Sequence, residues 1–300
     1  MTEKIEGLIA APFAPMTSSG DINPGLIPAY AATLRKNNVR GVFVNGTTGE
    51  GMSLTISERK ILAEAWVRYG GGLLVIVHVG HESGQEAATL TKHAQEAGAD
   101  GVGLSAPCFY KPGLSELVEF CAAVAAHAPG LPFYYYHMPA MSGVNIAMYD
   151  FVRAAAPKIS SLAGIKFTHE NIMDYQRCLE YDDGRFDILF GRDEILLAAL
   201  AIGARGAIGS TFNYAAPLYN HLIAAFHNGD LEKARKYQAK AQSLVHILQE
   251  SGNGIACGKA MMPMLTDIDC GPCRLPLPVF TSEKQQWLRK RVEEWQQENQ

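Results

Sequence analysis

The chain has 300 residues, of which 48% are hydrophobic and 19% charged, with a formal net charge of −4. This is the balance of an ordinary folded globular protein, long enough to bury roughly three quarters of its unfolded surface. It excludes a basic nucleic-acid surface, and no run approaches the roughly 20 apolar residues of a membrane-spanning helix, so neither nucleic acid nor membrane is an expected partner.

In chain order, the segment Met1 to Phe13 carries Glu3 and Glu6, which break its apolar run before it reaches signal-peptide length, and it reads as a first strand. Further short runs rich in Val, Ile, Leu and Phe recur, so that eight begin near Leu8, Val42, Leu73, Val102, Pro132, Leu162, Phe186 and Ala207. None alternates polar with apolar, as expected of parallel strands covered on both sides. Helix-length segments separate them. Thr55 with Glu58 and Ser83 with Glu86 have capping-box spacing, and Ile61, Leu62, Ala65, Trp66 and Tyr69 follow at helical period.

Eight βα units predict an α/β fold of the (β/α)8 TIM-barrel type over residues 1–225, with an open doubly wound sheet as the alternative. Beyond it, Pro217 to Asn228, Asp230 to Glu250 and Ser282 to Gln297 have helical periodicity. Residues 226–300 are expected to form a C-terminal helical extension packed on the barrel or on a neighbouring subunit.

Six cysteines (Cys108, Cys121, Cys178, Cys257, Cys270, Cys273) lack the density of a disulfide scaffold, which predicts reduced thiols and a cytoplasmic protein. Cys270-Gly271-Pro272-Cys273 has thioredoxin-type spacing. It lies in a proline-rich loop, Asp269 to Pro278, rather than at a strand-to-helix junction, and reads as a pair of loop cysteines.

Barrel active sites form just past the C-terminal ends of the strands. The second strand leads into Asn45-Gly46-Thr47-Thr48-Gly49-Glu50-Gly51, a turn whose hydroxyls and free N–H groups suit a carboxylate, or which is a plain βα turn. The fourth leads to Ser105 and Tyr110, the fifth ends at Tyr136, and the sixth ends at Lys166, a single amine closing an apolar strand. That lysine either snorkels its ammonium out of the barrel mouth or is desolvated, and a desolvated amine is the form that attacks carbonyls. Tyr136 and Lys166 fall on consecutive strands and should be neighbours. The seventh strand is followed by Gly191-Arg192-Asp193-Glu194 and the eighth by Ser210-Thr211, groups suited to a polyol or, for the acids, to a helix N-terminus. His78 and His81 have a spacing that raises a metal site, but no further ligands complete it, and no metal is expected. Walker, GxGxxG and GxSxG motifs are missing from the sequence.

Four motifs in order, Gly46-Thr47-Thr48-Gly49-Glu50, Tyr136-His137-Met138-Pro139-Ala140, Gly164-Ile165-Lys166, and Gly191-Arg192-Asp193-Glu194 with Gly209-Ser210-Thr211, resemble the N-acetylneuraminate lyase branch of the dihydrodipicolinate synthase superfamily. The resemblance spans nearly the whole chain. It implies a class I aldolase that cleaves N-acetylneuraminate reversibly to N-acetylmannosamine and pyruvate without a cofactor. Lys166 would form the Schiff base, Tyr136 would assist proton transfer, Thr47 and Thr48 would bind the keto-acid carboxylate, and Tyr110 would be a relay supplied by an adjacent subunit. Thr168, Gly191, Asp193, Glu194 and Ser210 would contact the open-chain sugar.

The resemblance further implies a homotetramer whose small-molecule partners are a keto acid and an amino sugar. Ala140-Met141-Ser142-Gly143 follow Pro139 where the synthases carry an arginine, which favours the lyase branch, and Arg192 departs from the neutral residue commoner at its position. Another pyruvate-dependent aldolase or hydratase of the superfamily, and a barrel that only binds keto acids, are the alternatives. The preferred sugar and the physiological direction are left open.

Overall fold

The computed structural model describes residues 4–298. Eight parallel strands close a barrel in sequence order: β1 (Gly7–Ala10), β2 (Gly41–Val44), β3 (Leu74–His78), β4 (Gly101–Ser105), β5 (Phe133–His137), β6 (Leu162–Phe167), β7 (Asp187–Phe190) and β8 (Gly206–Gly209). Gly7 of β1 pairs with Gly206 of β8, so no edge remains and the open-sheet alternative falls away. Each strand begins within one residue of its predicted start, and β5 and β6 run one residue past their predicted ends.

The helices α1 (Ile27–Lys36), α2 (Ile56–Tyr69), α3 (Gly84–Ala97), α4 (Leu114–Ala125), α5 (Pro139–Ser142), α6 (Met148–Ala155), α7 (Ile172–Gly184), α8 (Leu196–Ala201) and α9 (Phe212–His227) alternate with the strands. At α2 the Thr55 hydroxyl accepts from the Glu58 N–H while the Glu58 carboxylate accepts from the Thr55 N–H, a reciprocal cap. Ser83 caps α3 in one direction only.

Side-chain alternation divides the interior into two layers. Tyr135 faces the helices and packs on Phe151, with ring centroids 4.4 Å apart. Tyr134 and Tyr136 point into the barrel with Ile9, Phe43, Ile76, Leu189 and Ile208.

Three further helices follow, α10 (Leu231–Glu250), α11 (Gly254–Leu265) and α12 (Ser282–Glu298). The helix α9, kinked at Ala215, spans residue 225, so the extension grows out of the barrel's last helix. Helical periodicity did not reveal α11, because Gly254, Gly258 and Pro263 interrupt it and its pattern is apolar nearly all round. Burial sustains it instead.

The extension is fastened to the barrel mouth through Glu50, whose carboxylate accepts from Lys259 Nζ at 2.6 Å and from the Arg274 N–H at 2.8 Å. Lys259 also donates to the Pro272 carbonyl at 2.8 Å, and Arg274 forms an ion pair with Glu58. Cys270 and Cys273 lie buried and unbridged in the loop that carries these contacts. Among the described residues no helix is long and apolar enough to cross a membrane.

Candidate active site

A cavity of about 440 Å³ opens at the C-terminal ends of the strands, as the placement of function in this architecture requires. Lys166 forms its floor. Register sets it directly beside Tyr136, and its side chain is only 4% exposed. The ammonium nitrogen lies 4.0 Å from the centroid of the Tyr136 ring and 4.1 Å from that of Phe43. No described carboxylate forms an ion pair with it, and burial pushes its pKa down to about 7, with the negative charge of Asp193 opposing the fall. The snorkelling alternative is thereby excluded, since the amine ends inside the barrel.

The Tyr136 hydroxyl lies 3.1 Å from the Thr47 hydroxyl and donates to the Met138 thioether. Burial pushes its pKa up to about 12, which keeps the phenol protonated near neutrality. Thr47 and Thr48 stand in the turn after β2, where Asn45 and Glu50 have positive φ of 61° and 54°. Gly51 is required there, because a Cβ would come within 1.9 Å of the Asn45 carbonyl oxygen. Fixed in this way, the turn offers both threonines to the cavity.

On the opposite wall Asp193 turns inward rather than capping α8, and its Oδ2 accepts from the Thr211 N–H at 2.9 Å and the Thr211 hydroxyl at 2.7 Å. Burial raises its pKa to about 6. Gly209 leaves the room, since a Cβ would sit 2.1 Å from Asp193 Oδ1. Thr168 has a buried hydroxyl with no hydrogen-bond partner among the described residues, and Gly191, Glu194 and Ser210 complete this side.

The cavity thus brings together Lys166, Tyr136, Thr47, Thr48, Thr168, Gly191, Asp193, Glu194 and Ser210. Tyr110 is not among its lining residues. It is 84% exposed, with its ring edge-to-face against Phe109 at 5.1 Å between centroids.

The two histidines diverge. His78 is buried, with Nδ1 3.1 Å from the Asn45 carbonyl and Nε2 3.0 Å from the Ser105 hydroxyl. A carbonyl only accepts, so Nδ1 carries the proton and Nε2 accepts from Ser105. His81 instead accepts from the Ser83 N–H. No cluster of three His, Cys, Asp or Glu residues among those described is placed to hold a metal ion.

Several lining residues carry no motif in the sequence: Val245, Leu248, Asn253, Ile255 and Leu277, all from the C-terminal extension. Asn253 carried a signal, because its side chain caps α11 by accepting from the Ala256 N–H at 3.0 Å. The apolar members carried none.

The barrel with an amine at the end of its sixth strand defines a class, and the chain belongs to the dihydrodipicolinate synthetase family, which it matches over residues 4–295. It is 45% identical over 280 residues to N-acetylneuraminate lyase A of Xenopus laevis, covering 92% of this chain and 91% of that one. It is 43% identical to the N-acetylneuraminate lyase of Rattus norvegicus, covering 94% and 89%. Among solved structures, the N-acetylneuraminate lyase (sialic acid aldolase) of Aliivibrio salmonicida superposes with a TM-score of 0.95 at 42% identity, covering 98% of both chains.

Proposed function

We propose that the protein is an N-acetylneuraminate lyase, a Schiff-base aldolase that cleaves N-acetylneuraminate reversibly to N-acetylmannosamine and pyruvate. One observation carries the chemistry. Lys166 is buried without an ion-pair partner among the described residues, and its pKa of about 7 leaves a large neutral fraction near neutral pH. A neutral amine adds to the keto carbon, and loss of water gives a protonated imine.

That imine is the electron sink for breaking the carbon–carbon bond. As the adjacent hydroxyl gives up its proton, its oxygen becomes the aldehyde of the departing amino sugar and the bonding pair passes to the imine as an enamine. Protonation of the enamine carbon and hydrolysis release pyruvate and restore the amine. Each electron pair has a destination within the substrate and Lys166, so the scheme calls for no cofactor.

Tyr136 is the proton carrier in this reading. A phenol held protonated by burial is a weak base alone, so it takes the hydroxyl proton while handing its own to the substrate carboxylate. Thr47 and Thr48 receive that carboxylate. Thr168, Gly191, Asp193, Glu194 and Ser210 face the hydroxyls of the sugar, and the unpartnered Thr168 hydroxyl is the group that gains most from one.

A homotetramer and a cytoplasmic location belong to the same proposal. The exposed pair Phe109 and Tyr110 supports a neighbour that receives them, with Tyr110 as a relay in that neighbour's site, and six unbridged cysteines suit a reducing compartment.

Borohydride added with pyruvate tests the imine. Reduction is expected to add one pyruvate-derived adduct to the native protein and none to Lys166→Ala, and unchanged mass in both would refute the mechanism. Pyruvate release from N-acetylneuraminate, set against release from 2-keto-3-deoxy sugar acids, then separates the lyase from other aldolases of the family.

A further inference from the structure

The wall opposite Thr47 holds an arrangement that the reaction scheme leaves unused. Arg192 follows Gly191 in extended backbone, with φ −120° and ψ 96°, and its side chain lies along the cavity rim. Its Nε is 3.0 Å from Glu194 Oε1, and its Nη2 is 3.7 Å from Glu170 Oε2 in the loop after β6. The guanidinium therefore spans two loops, with a carboxylate on each side.

The neighbouring groups are held by other means. Asp193 is fixed by Thr211, and Gln238 and Gln242 of α10 donate to the backbone carbonyls of Asp193 and Glu194 at 3.3 and 2.8 Å. These bonds secure the main chain. The Glu194 side chain, 25% exposed at the rim, is held by its ion pair with Arg192, whose Nε makes no hydrogen bond among the described residues.

From this the structure assigns Arg192 as a specificity-determining, positioning residue: it holds Glu194 as a hydrogen-bond acceptor for hydroxyls on the neutral, non-reacting chain of the substrate. A carboxylate has about four acceptor sites, so one oxygen against Arg192 leaves the rest for vicinal hydroxyls. Two carboxylates beside one guanidinium leave this rim with a formal excess of negative charge, which repels an anion. The same wall therefore disfavours a substrate whose distal end is a phosphate or a second carboxylate.

The inference rests on the proposed aldolase chemistry, and its test separates the two. Arg192→Gln is expected to raise KM for N-acetylneuraminate about tenfold, with kcat changed less than about threefold. Pyruvate trapping at Lys166 should be unaffected, as should cleavage of a short 4-hydroxy-2-oxo acid that lacks the hydroxylated chain. Arg192→Lys, which keeps the charge but not the planar fork, should recover part of the loss.

Because Arg192 acts through Glu194, the double variant Arg192→Gln/Glu194→Gln should be no worse than Glu194→Gln alone. Additive losses, or an unchanged KM in Arg192→Gln, would overturn the assignment. So would a native preference for a distally phosphorylated keto acid over its neutral counterpart. Absence of trapping in the native protein would instead count against the aldolase reading itself, while normal trapping in Arg192→Gln shows that the variant is folded.

Discussion

Two lysines lie inside this molecule within reach of the same turn, and they live by opposite rules. Lys259, on α11, is 1% exposed and places its ammonium 2.6 Å from Glu50 and 2.8 Å from the Pro272 carbonyl. Lys166, on β6, is 4% exposed and places its nitrogen over two aromatic faces with no described carboxylate in ion-pair contact. Both are stripped of water. The first is half of a hydrogen-bonded ion pair that clamps the extension to the turn carrying Thr47 and Thr48. The second is driven towards the neutral amine. Burial alone does not make a nucleophile; burial without a counter-ion does.

The contrast predicts opposite signs for one substitution at the two sites. Lys259→Met strands the Glu50 carboxylate, 3% exposed, inside the protein and should cost about 3–5 kcal/mol in denaturant unfolding. Lys259→Met combined with Glu50→Gln removes both charges and should restore much of that loss. If the single variant unfolds like the native protein, the clamp is not structural.

Lys166→Met is expected to go the other way. It removes an amine that no described carboxylate pairs and whose deprotonation is favoured by folding, and it should stabilise the protein by about 2–4 kcal/mol at pH 7 while abolishing turnover. A destabilised Lys166→Met would mean that the amine is satisfied after all. It would dissolve the distinction between the two lysines.

How much of this was legible in the sequence depends on which physical signal each residue carried. The barrel was readable because its strands are continuous apolar runs and its helices carry caps, as at Thr55, both of them local properties. Lys166, Tyr136 and the Thr47 turn were readable as polar groups at strand ends, and their common cavity followed from barrel order. Glu50 with Lys259, 209 positions apart, was not, because nothing local distinguishes a clamping carboxylate from one that merely ends a turn. The inward turn of Asp193 was legible only as one of two readings. A dipole argument places an acid there for the helix, whereas the room left by Gly209 and the donors of Thr211 draw it into the cavity.

The smallest effect is a pH dependence, and it sharpens the comparison most. Imine formation needs the neutral amine, so trapping by pyruvate and borohydride should rise about tenfold per pH unit below pH 7 and level off above about pH 8, with its midpoint near 7. A lysine with the ordinary value of 10.5 would go on rising beyond pH 9. Stability carries the same information through linkage. Between about 7 and 10.5 the unfolded chain holds a proton on Lys166 that the folded chain has lost, so this group makes stability increase with pH across that window and decrease as pH falls towards 7. The advantage of Lys166→Met over the native protein should therefore narrow by about 1.4 kcal/mol per unit from pH 7 to 10. A gap that stays constant over that range would show that the amine titrates alike in the folded and unfolded chain, and that burial between two aromatic rings does not drive it towards the neutral form.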